Sequence, residues 1–298
     1  MDRQRISFFP AAGTVATVLV SVFLLQGCRS LILEDRTECP AWITLQAVPP
    51  VNAVHWPEMD FRLTGPGFDG MDRTSVRTEV LNEGWQFKWK KGGAFTAVSL
   101  TGWDGGIDGK NGLLTVPEGT EIPEAIGGYI DTVLGARLEQ VEFPLPVRAL
   151  YTNVIFDVQG ASTEYPFLPV VKCAVDGYIL PQLTLHTGSY SCPAAMISYR
   201  VRVARIPRQD DAVTKTSYAG GLYADFLFKL DENDTEWTKF HTLPLGPVLT
   251  ENGYDWTAPF PEDIHVKVDF VDGAVSLITV NVADWEQVVF RDNGKIKI

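Results

Sequence analysis

Residues 264–282, IHVKVDFVDGAVSLITVNV, decide the fold class. Val266, Val268 and Phe270 alternate with His265, Lys267 and Asp269, and a period of two marks a strand with one buried face. Asp272-Gly273 supplies a tight turn, and VSLITVNV returns as a second strand, so the stretch predicts a hairpin with a type I′ or similar loop. The alternation recurs in residues 197–204, ISYRVRVA, where Ile197, Tyr199, Val201 and Val203 oppose Ser198, Arg200 and Arg202.

Working outward, further strands are expected at Trp42 to Val48, Trp85 to Trp89, Ala94 to Leu100, Leu113 to Val116, Tyr151 to Val158, Leu183 to His186 and Leu222 to Leu230. Clusters of Gly, Pro, Asn and Asp such as GWDGGIDGKNG and LDEND separate them. A single short helix is expected around Ile130 to Gln140, weakened by Gly135. Many short strands with frequent turn signals predict an all-β chain built of β-sandwiches. Pro144 and Pro146 in EFPLPVRALY precede a fresh strand, which places a division close to residue 140 and predicts domains at 39–140 and 141–298.

The chain opens with Arg3 and Arg5 and then runs apolar or small through Gly27. A membrane-spanning helix needs about 20 apolar residues, whereas the dense part, Val15 to Leu25, is much shorter and follows Pro10 and Gly13. An export signal is the better reading. Its end, Leu25-Gln26-Gly27-Cys28, resembles the bacterial lipoprotein signal, in which the cysteine is lipidated and becomes the new N-terminus. Residues 1–27 would then be removed and 28–38 form a spacer. Two or three acyl chains on Cys28, at about 0.8 kcal/mol per buried methylene, would hold the protein stably on a membrane.

Composition excludes one class of partner. The chain carries 37 acidic and 25 basic side chains, for a formal net charge of −12, and removing residues 1–27 leaves it more acidic. Such a chain offers no electrostatic footprint for nucleic acid. Its 45% hydrophobic content suits packed cores and argues against disorder. With Cys28 spent on lipid, Cys39, Cys173 and Cys192 remain. In an oxidising compartment Cys173 and Cys192, which flank two expected strands, are the better candidates for a disulfide, worth about 3 kcal/mol on the chain-entropy model. Three free buried thiols are the alternative.

Catalytic and metal-binding patterns are weak. His55, His186, His241 and His265 are scattered without an HExxH spacing and are expected at the surface, and Gly188-Ser189-Tyr190-Ser191-Cys192 does not fit a nucleophile elbow. GPGFDG, Gly65 to Gly70, satisfies GxGxxG in letters but carries Pro66 and lacks a strand-to-helix setting. DGGIDGKNG, from Asp104, places Gly106 at one ligand position of a calcium loop and Thr115 where the closing Glu belongs. Both read as turns, and Asp231 to Glu236 reads as a solvated acidic loop. No cofactor, metal or catalytic residue is assigned. Trp56, Trp85, Trp89, Trp103 and Trp256 could stack on sugar rings if exposed, but core aromatics are commoner.

The residues after Cys28 carry a family resemblance. Glu34-Asp35-Arg36-Thr37-Glu38-Cys39-Pro40, followed by the strand Trp42-Ile43-Thr44-Leu45, resembles the start of the FimB-type fimbrial anchor and minor-subunit family of type V pili. FPLPVRALYTNVIFDVQG, with Arg148, and VSLITVNVADWEQV, with Trp285, resemble that family's middle and closing strands. The resemblance implies two tandem transthyretin-like β-sandwich domains and no enzymatic activity. It also implies a lipid-anchored, surface-exposed place at the bacterial outer membrane, attaching or capping a fimbrial fibre through β-strand contacts with stalk or accessory subunits. An anchor of this kind is expected to stay uncleaved at Arg29 and Arg36. The competing expectation from another class is a glycan-binding surface lipoprotein of a polysaccharide-uptake system.

Overall fold

The computed structural model describes residues 40–65, 72–104, 112–160, 166–194, 199–205, 221–229, 235–256, 258–260, 262–271, 274–282 and 285–291. Residues 1–39, with Cys28, Arg29, Arg36 and Cys39, lie outside them. So do most of GPGFDG, the middle of DGGIDGKNG, residues 231–234, Ile197, Ser198 and the Asp272-Gly273 turn.

The elements run β1 (Pro40–Val48), β2 (Glu58–Thr64), β3 (Asp72–Arg77), α1 (Thr78–Glu83), β4 (Trp85–Lys90), β5 (Gly93–Thr101), β6 (Leu113–Thr115), β7 (Ile126–Leu134) and β8 (Gln140–Ala149). They continue with β9 (Tyr151–Gln159), β10 (Phe167–Ile179), β11 (Thr184–Pro193), β12 (Arg200–Ala204), β13 (Tyr223–Phe228), β14 (Thr238–Leu243), α2 (Leu245–Glu251), β15 (Ile264–Val271), β16 (Ala274–Val282) and β17 (Trp285–Arg291). The chain is all-β in class, with three sheets and two short helices among the described residues. No described helix is long and apolar enough to cross a membrane.

The first sheet has the order β3-β2-β5-β7-β8-β1-β4. Strand β1 shows why the chain folds this way: Ala41, Ile43, Leu45 and Ala47 are buried, while Trp42, Gln46 and Val48 on the opposite face are exposed. β1 lies inside the sheet, parallel to β8 and antiparallel to β4. Strands β7 and β8 pair over only three positions, Ile126 to Gly128 against Ala149 to Val147. At that narrow seam the sheet folds back on itself, nearly closing. Phe61 of β2 meets Trp85 of β4 at 5.1 Å between ring centroids, and Phe95 of β5 stacks on Phe143 of β8 at 6.3 Å. Burying such aromatic and aliphatic surface, at about 25 cal/mol per Å², holds the two leaves together.

One sequence expectation needs correction here. The segment expected to be helical, around Ile130 to Gln140, forms the second half of β7 and the turn after it. β7 pairs with β5 at every position from Gly93 to Thr101, and this ladder, with β-branched Ile126, Ile130, Thr132 and Val133, fixes the segment up to Leu134 as strand. Strand β8 is bonded to both β1 and β7, and the strand after it, β9, belongs to another sheet.

Two five-stranded sheets follow, β11-β10-β13-β14 with β6 alongside β10, and β12-β9-β15-β16-β17. They face each other across Phe156, Phe167 and Phe226, with Phe226 stacked on Phe167 at 5.8 Å and edge-on to Phe156 at 5.9 Å. The hairpin that fixed the fold class is present: β15 pairs with β16 up to Val271 and Ala274, and Ile264, Val266 and Val268 are fully buried. β12 likewise buries Val201 and Val203. β9 runs parallel to β15, as β1 does to β8, so each half of the chain pairs its first strand in parallel with a late one. β6, from the first half, crosses to join β10 in the second. It can do so because Gly177 leaves room: a Cβ there would lie 1.8 Å from the Leu114 carbonyl oxygen.

Cys173 and Cys192 are buried and free. They sit on the neighbouring strands β10 and β11, but Cys173 is opposite Tyr190 and Cys192 is opposite Val171. The two are diagonal rather than facing, a relation that spaces backbones about 7–8 Å apart, wider than a disulfide ordinarily spans. Cys173 Sγ instead donates to the Val175 carbonyl at 3.0 Å, and burial pushes its thiol up to about 12.

Candidate functional site

Where the two halves meet, segments around Asn52–Trp56, Glu124, Ala149–Asn153 and Phe260–Asp263 line an open cleft of about 360 Å³. Local bonds build each wall. The Asn52 side-chain oxygen accepts the backbone N–H groups of Val54 and His55 at 3.0 and 3.3 Å, and its carbonyl accepts those of His55 and Trp56. This side-chain-capped turn is what asparagine does well, and it aims His55 and Trp56 at the opposite wall. There, Ala149 N–H donates to the Pro259 carbonyl at 2.9 Å, and the buried Arg205 donates to the carbonyls of Asp255 and Ala258 at 3.1 and 2.5 Å. Those bonds hold the loop that carries Phe260.

Trp56 and Phe260 stack at 6.4 Å with their planes 26° apart, and His55 meets Trp56 edge-on at 4.1 Å. Below the aromatic pair sits Glu124. Its Oε1 takes bonds from His55 Nε2 and the Tyr151 hydroxyl, each at 2.9 Å, and its Oε2 pairs with Arg202 at 3.3 Å. Burial pushes the Glu124 carboxyl up, but the bonds from Tyr151 and His55 and the nearby Arg202 charge outweigh it and hold the group below the usual carboxylate range. Arg202 is further occupied by Glu121 at 2.8 Å. On the other side, Asn153 donates to Asp263 at 2.7 Å, leaving the remaining carboxylate capacity of the exposed Asp263 facing water.

The residues singled out from the sequence do not converge. Three of the four histidines pair with separate carboxylates: His55 with Glu124, His186 with Asp176 at 2.6 Å and His265 with Asp157 at 2.9 Å. His241 is partly buried, which lowers its pKa. No cluster of three or more potential metal ligands occurs among the described residues. Trp89, Trp103 and Trp256 are core residues, Trp85 packs at the edge of the first core, and Trp42 on β1 is exposed, with Lys88 Nζ 4.9 Å from its ring. The cleft itself was not visible in the sequence, because its bonded partners lie far apart in the chain: 69 positions between His55 and Glu124, and 110 between Asn153 and Asp263.

The sheet edges are a second feature. Among the described residues, β3 and β4 end the first sheet, β11 and β14 the second, and β12 and β17 the third. An edge presents unpaired backbone groups to which another strand can add.

No protein-family model and no curated protein matches the sequence. Solved structures do match. A candidate adhesin of Bacteroides ovatus aligns over 85% of this chain and 95% of its own at 11% identity, with a TM-score of 0.51. This chain shares its fold. A protein of Bacteroides thetaiotaomicron, described as a candidate polysaccharide-binding protein, aligns over 86% of this chain and 100% of its own at 8% identity and TM-score 0.51. The fimbrial anchor protein Mfa2 of Porphyromonas gingivalis is a looser match, covering 85% of this chain and 100% of its own at 8% identity and TM-score 0.48.

Proposed function

We propose that this chain is a non-enzymatic, lipid-anchored fimbrial subunit of the bacterial outer membrane, attaching or capping a fibre through β-strand contacts. It would comprise two tandem transthyretin-like sandwiches behind a spacer that starts at a lipidated Cys28. The observation that carries the reading is the place of β1. Pro40 opens this strand immediately after the spacer, and Ala41, Ile43, Leu45 and Ala47 are locked into the first core. The lipid would thus be tied to a strand bonded on both sides, while β3 and β4, the edge strands among the described residues, offer a neighbour a place to add. The shared fold with a candidate adhesin supports a surface role, and the Cys28 and Glu34–Pro40 signature supports the fimbrial one.

The polysaccharide-uptake alternative called for exposed tryptophan pairs on one concave face. Among the described tryptophans Trp42 alone is exposed, and it projects from the outer face of β1. That favours the fimbrial reading. In-cell cross-linking of the full-length protein, with its neighbours identified by mass spectrometry, tests it. Fimbrial β-sandwich subunits are expected; a porin-type importer with glycan enzymes would overturn it.

A further inference from the structure

We infer that the end of the first sheet at which β1 begins docks on an anionic bilayer surface and sets the body upright on it. The inference rests on the lipid assignment at Cys28 and adds to it: the acyl chains hold the protein, and this surface orients it. The chain from Cys28 to Pro40 reaches about 40 Å at full extension, which keeps Pro40 near the bilayer. It does not by itself fix the orientation, because β1 is only about 30 Å long. Which surface meets the lipid is then decided by what the body displays.

Three features of this end point to lipid. The first is that it is built as a fixed surface. Pro40 lies opposite Lys90 of β4, and Gly93 of β5 lies opposite Leu134 of β7. The buried Lys91 donates from Nζ to the Leu138 carbonyl at 2.8 Å, and Gly92 N–H donates to the Leu134 carbonyl at 3.0 Å, so the turn after β4 is fastened to the turn after β7. A surface ordered in advance loses little conformational entropy on docking. The second feature is its exposed apolar rim. Val133 is 74% exposed and faces the exposed Ala94, and Ala136 is exposed in the next turn. On the other leaf Trp42 is 48% exposed with Lys88 Nζ 4.9 Å from its ring. Apolar groups gathered in one place mark a contact site, and a tryptophan beside a lysine suits the bilayer interface, where the ring lies among the headgroups and the ammonium reaches phosphates. The third is charge. Among the described residues, Lys88, Lys90 and Arg137 lie within two positions of this end, against Glu139, while Asp131 and Glu142 stand one step deeper. The other end of the same sheet carries Glu58, Asp60, Glu79 and Glu83 against Arg77 and Arg148. In a chain of net charge −12, that asymmetry turns the Pro40 end toward an anionic surface and the other end away from it.

The test uses the full-length lipidated protein with Cys39→Ser, reconstituted into vesicles of phosphatidylethanolamine and phosphatidylglycerol that carry a lipid with a nitroxide on its headgroup. A fluorophore is attached at Val133→Cys or, as the control, at Val54→Cys, which is 95% exposed and follows the far end of β1; Cys173 and Cys192 are buried. Loss of most of the emission at position 133 and little at position 54 is expected. Arg137→Gln, in an exposed turn, should lower the ratio of docked to undocked protein about fivefold, the equivalent of about 1 kcal/mol for one basic side chain at an anionic surface. Equal quenching at the two positions, or none at 133, in protein that floats with the vesicles overturns the inference and leaves the lipid anchor standing. Quenching at 133 that Arg137→Gln leaves unchanged, and that persists on phosphatidylcholine alone, also overturns it. A blue shift at 133 without quenching overturns it in favour of a protein contact. Protein that does not float with the vesicles overturns the lipid assignment and this inference with it.

Discussion

Tyr178 and Arg205 are joined through both ends of one peptide residue: the Tyr178 hydroxyl accepts the Arg205 N–H at 2.6 Å and lies 2.7 Å from the Arg205 carbonyl oxygen. The hydroxyl also donates to the carbonyl of Leu150, the residue between β8 and β9. Both side chains are buried, and Arg205 reaches on to Tyr254 and to the carbonyls of Asp255 and Ala258. A guanidinium buried among carbonyls, with neutral acceptors as its bonded partners, is thus the bolt between the start of β9, the end of β12 and the Phe260 loop.

Removing that bolt orphans several buried acceptors at once. Arg205→Met should cost about 3 kcal/mol, read from the midpoint of denaturant unfolding. Arg205→Lys should recover only part of this, because an ammonium cannot span the same fork of carbonyls. Tyr178→Phe should cost about 1 kcal/mol, because it removes the hydroxyl's bonds at the Leu150 carbonyl and at Arg205 while the Arg205 N–H keeps its 3.1 Å bond to the Leu150 carbonyl.

Asp225 gives a pH signature. Burial pushes its carboxyl up, but bonds from Thr242 at 2.6 Å and Lys172 at 2.9 Å, with the charges of Lys172 and Lys239, leave it below the usual range. A group depressed in the folded state stabilises the fold above its unfolded pKa, and that contribution disappears as pH falls through the folded value. Stability should therefore decline on the acid side, below about pH 4, and Asp225→Asn should flatten that limb. The check is chemical denaturation at a series of pH values.

The two described cysteines should be protected from alkylation in the native protein at neutral pH, since burial raises both thiols and leaves little thiolate. Denaturation without reductant should expose both to labelling. If denatured, unreduced protein labels at neither Cys173 nor Cys192, the strands β10 and β11 must shift to bring the pair into register.

Cys28→Ala should release the protein from the membrane fraction while leaving its unfolding midpoint unchanged, because it alters none of the described core residues. Fractionation followed by immunoblotting decides this, and retention in the membrane would overturn the lipid assignment. Likewise, Gly177→Ala should cost about 1–3 kcal/mol, because the added methyl collides with the β6 backbone. Thermal unfolding measures it.

How much was legible in the sequence depended on where each signal resided. The β15–β16 hairpin could be read because its alternation is local: Val266 and Val268 face one core and Lys267 faces away whatever the partner strand. Ile130 to Leu134 was misread because its strand state is decided by β5, which no local pattern reveals. β10, thirteen residues long, escaped because FLPVVKCAVDGYI contains a proline and a glycine that break the period. Both have positional reasons, Gly177 making room for β6 and Pro169 lying near the strand start. His55, Glu124, Phe260 and Asp263 meet only through the folding of both halves, so no spacing rule could have grouped them.

The interior position of β1 has a mechanical consequence. A pull transmitted from the N-terminal side enters at Pro40, along the strand axis. β1 is paired with β8 from Trp42 to Val48 and with β4 from Pro40 to Leu45. Tension in that direction loads both ladders in shear, so their bonds must fail together, whereas a strand pulled sideways from a sheet edge would unzip one bond at a time. Shear along a core strand is the loading geometry in which a β-sheet resists rupture best, and it is the geometry a tether bearing drag would need.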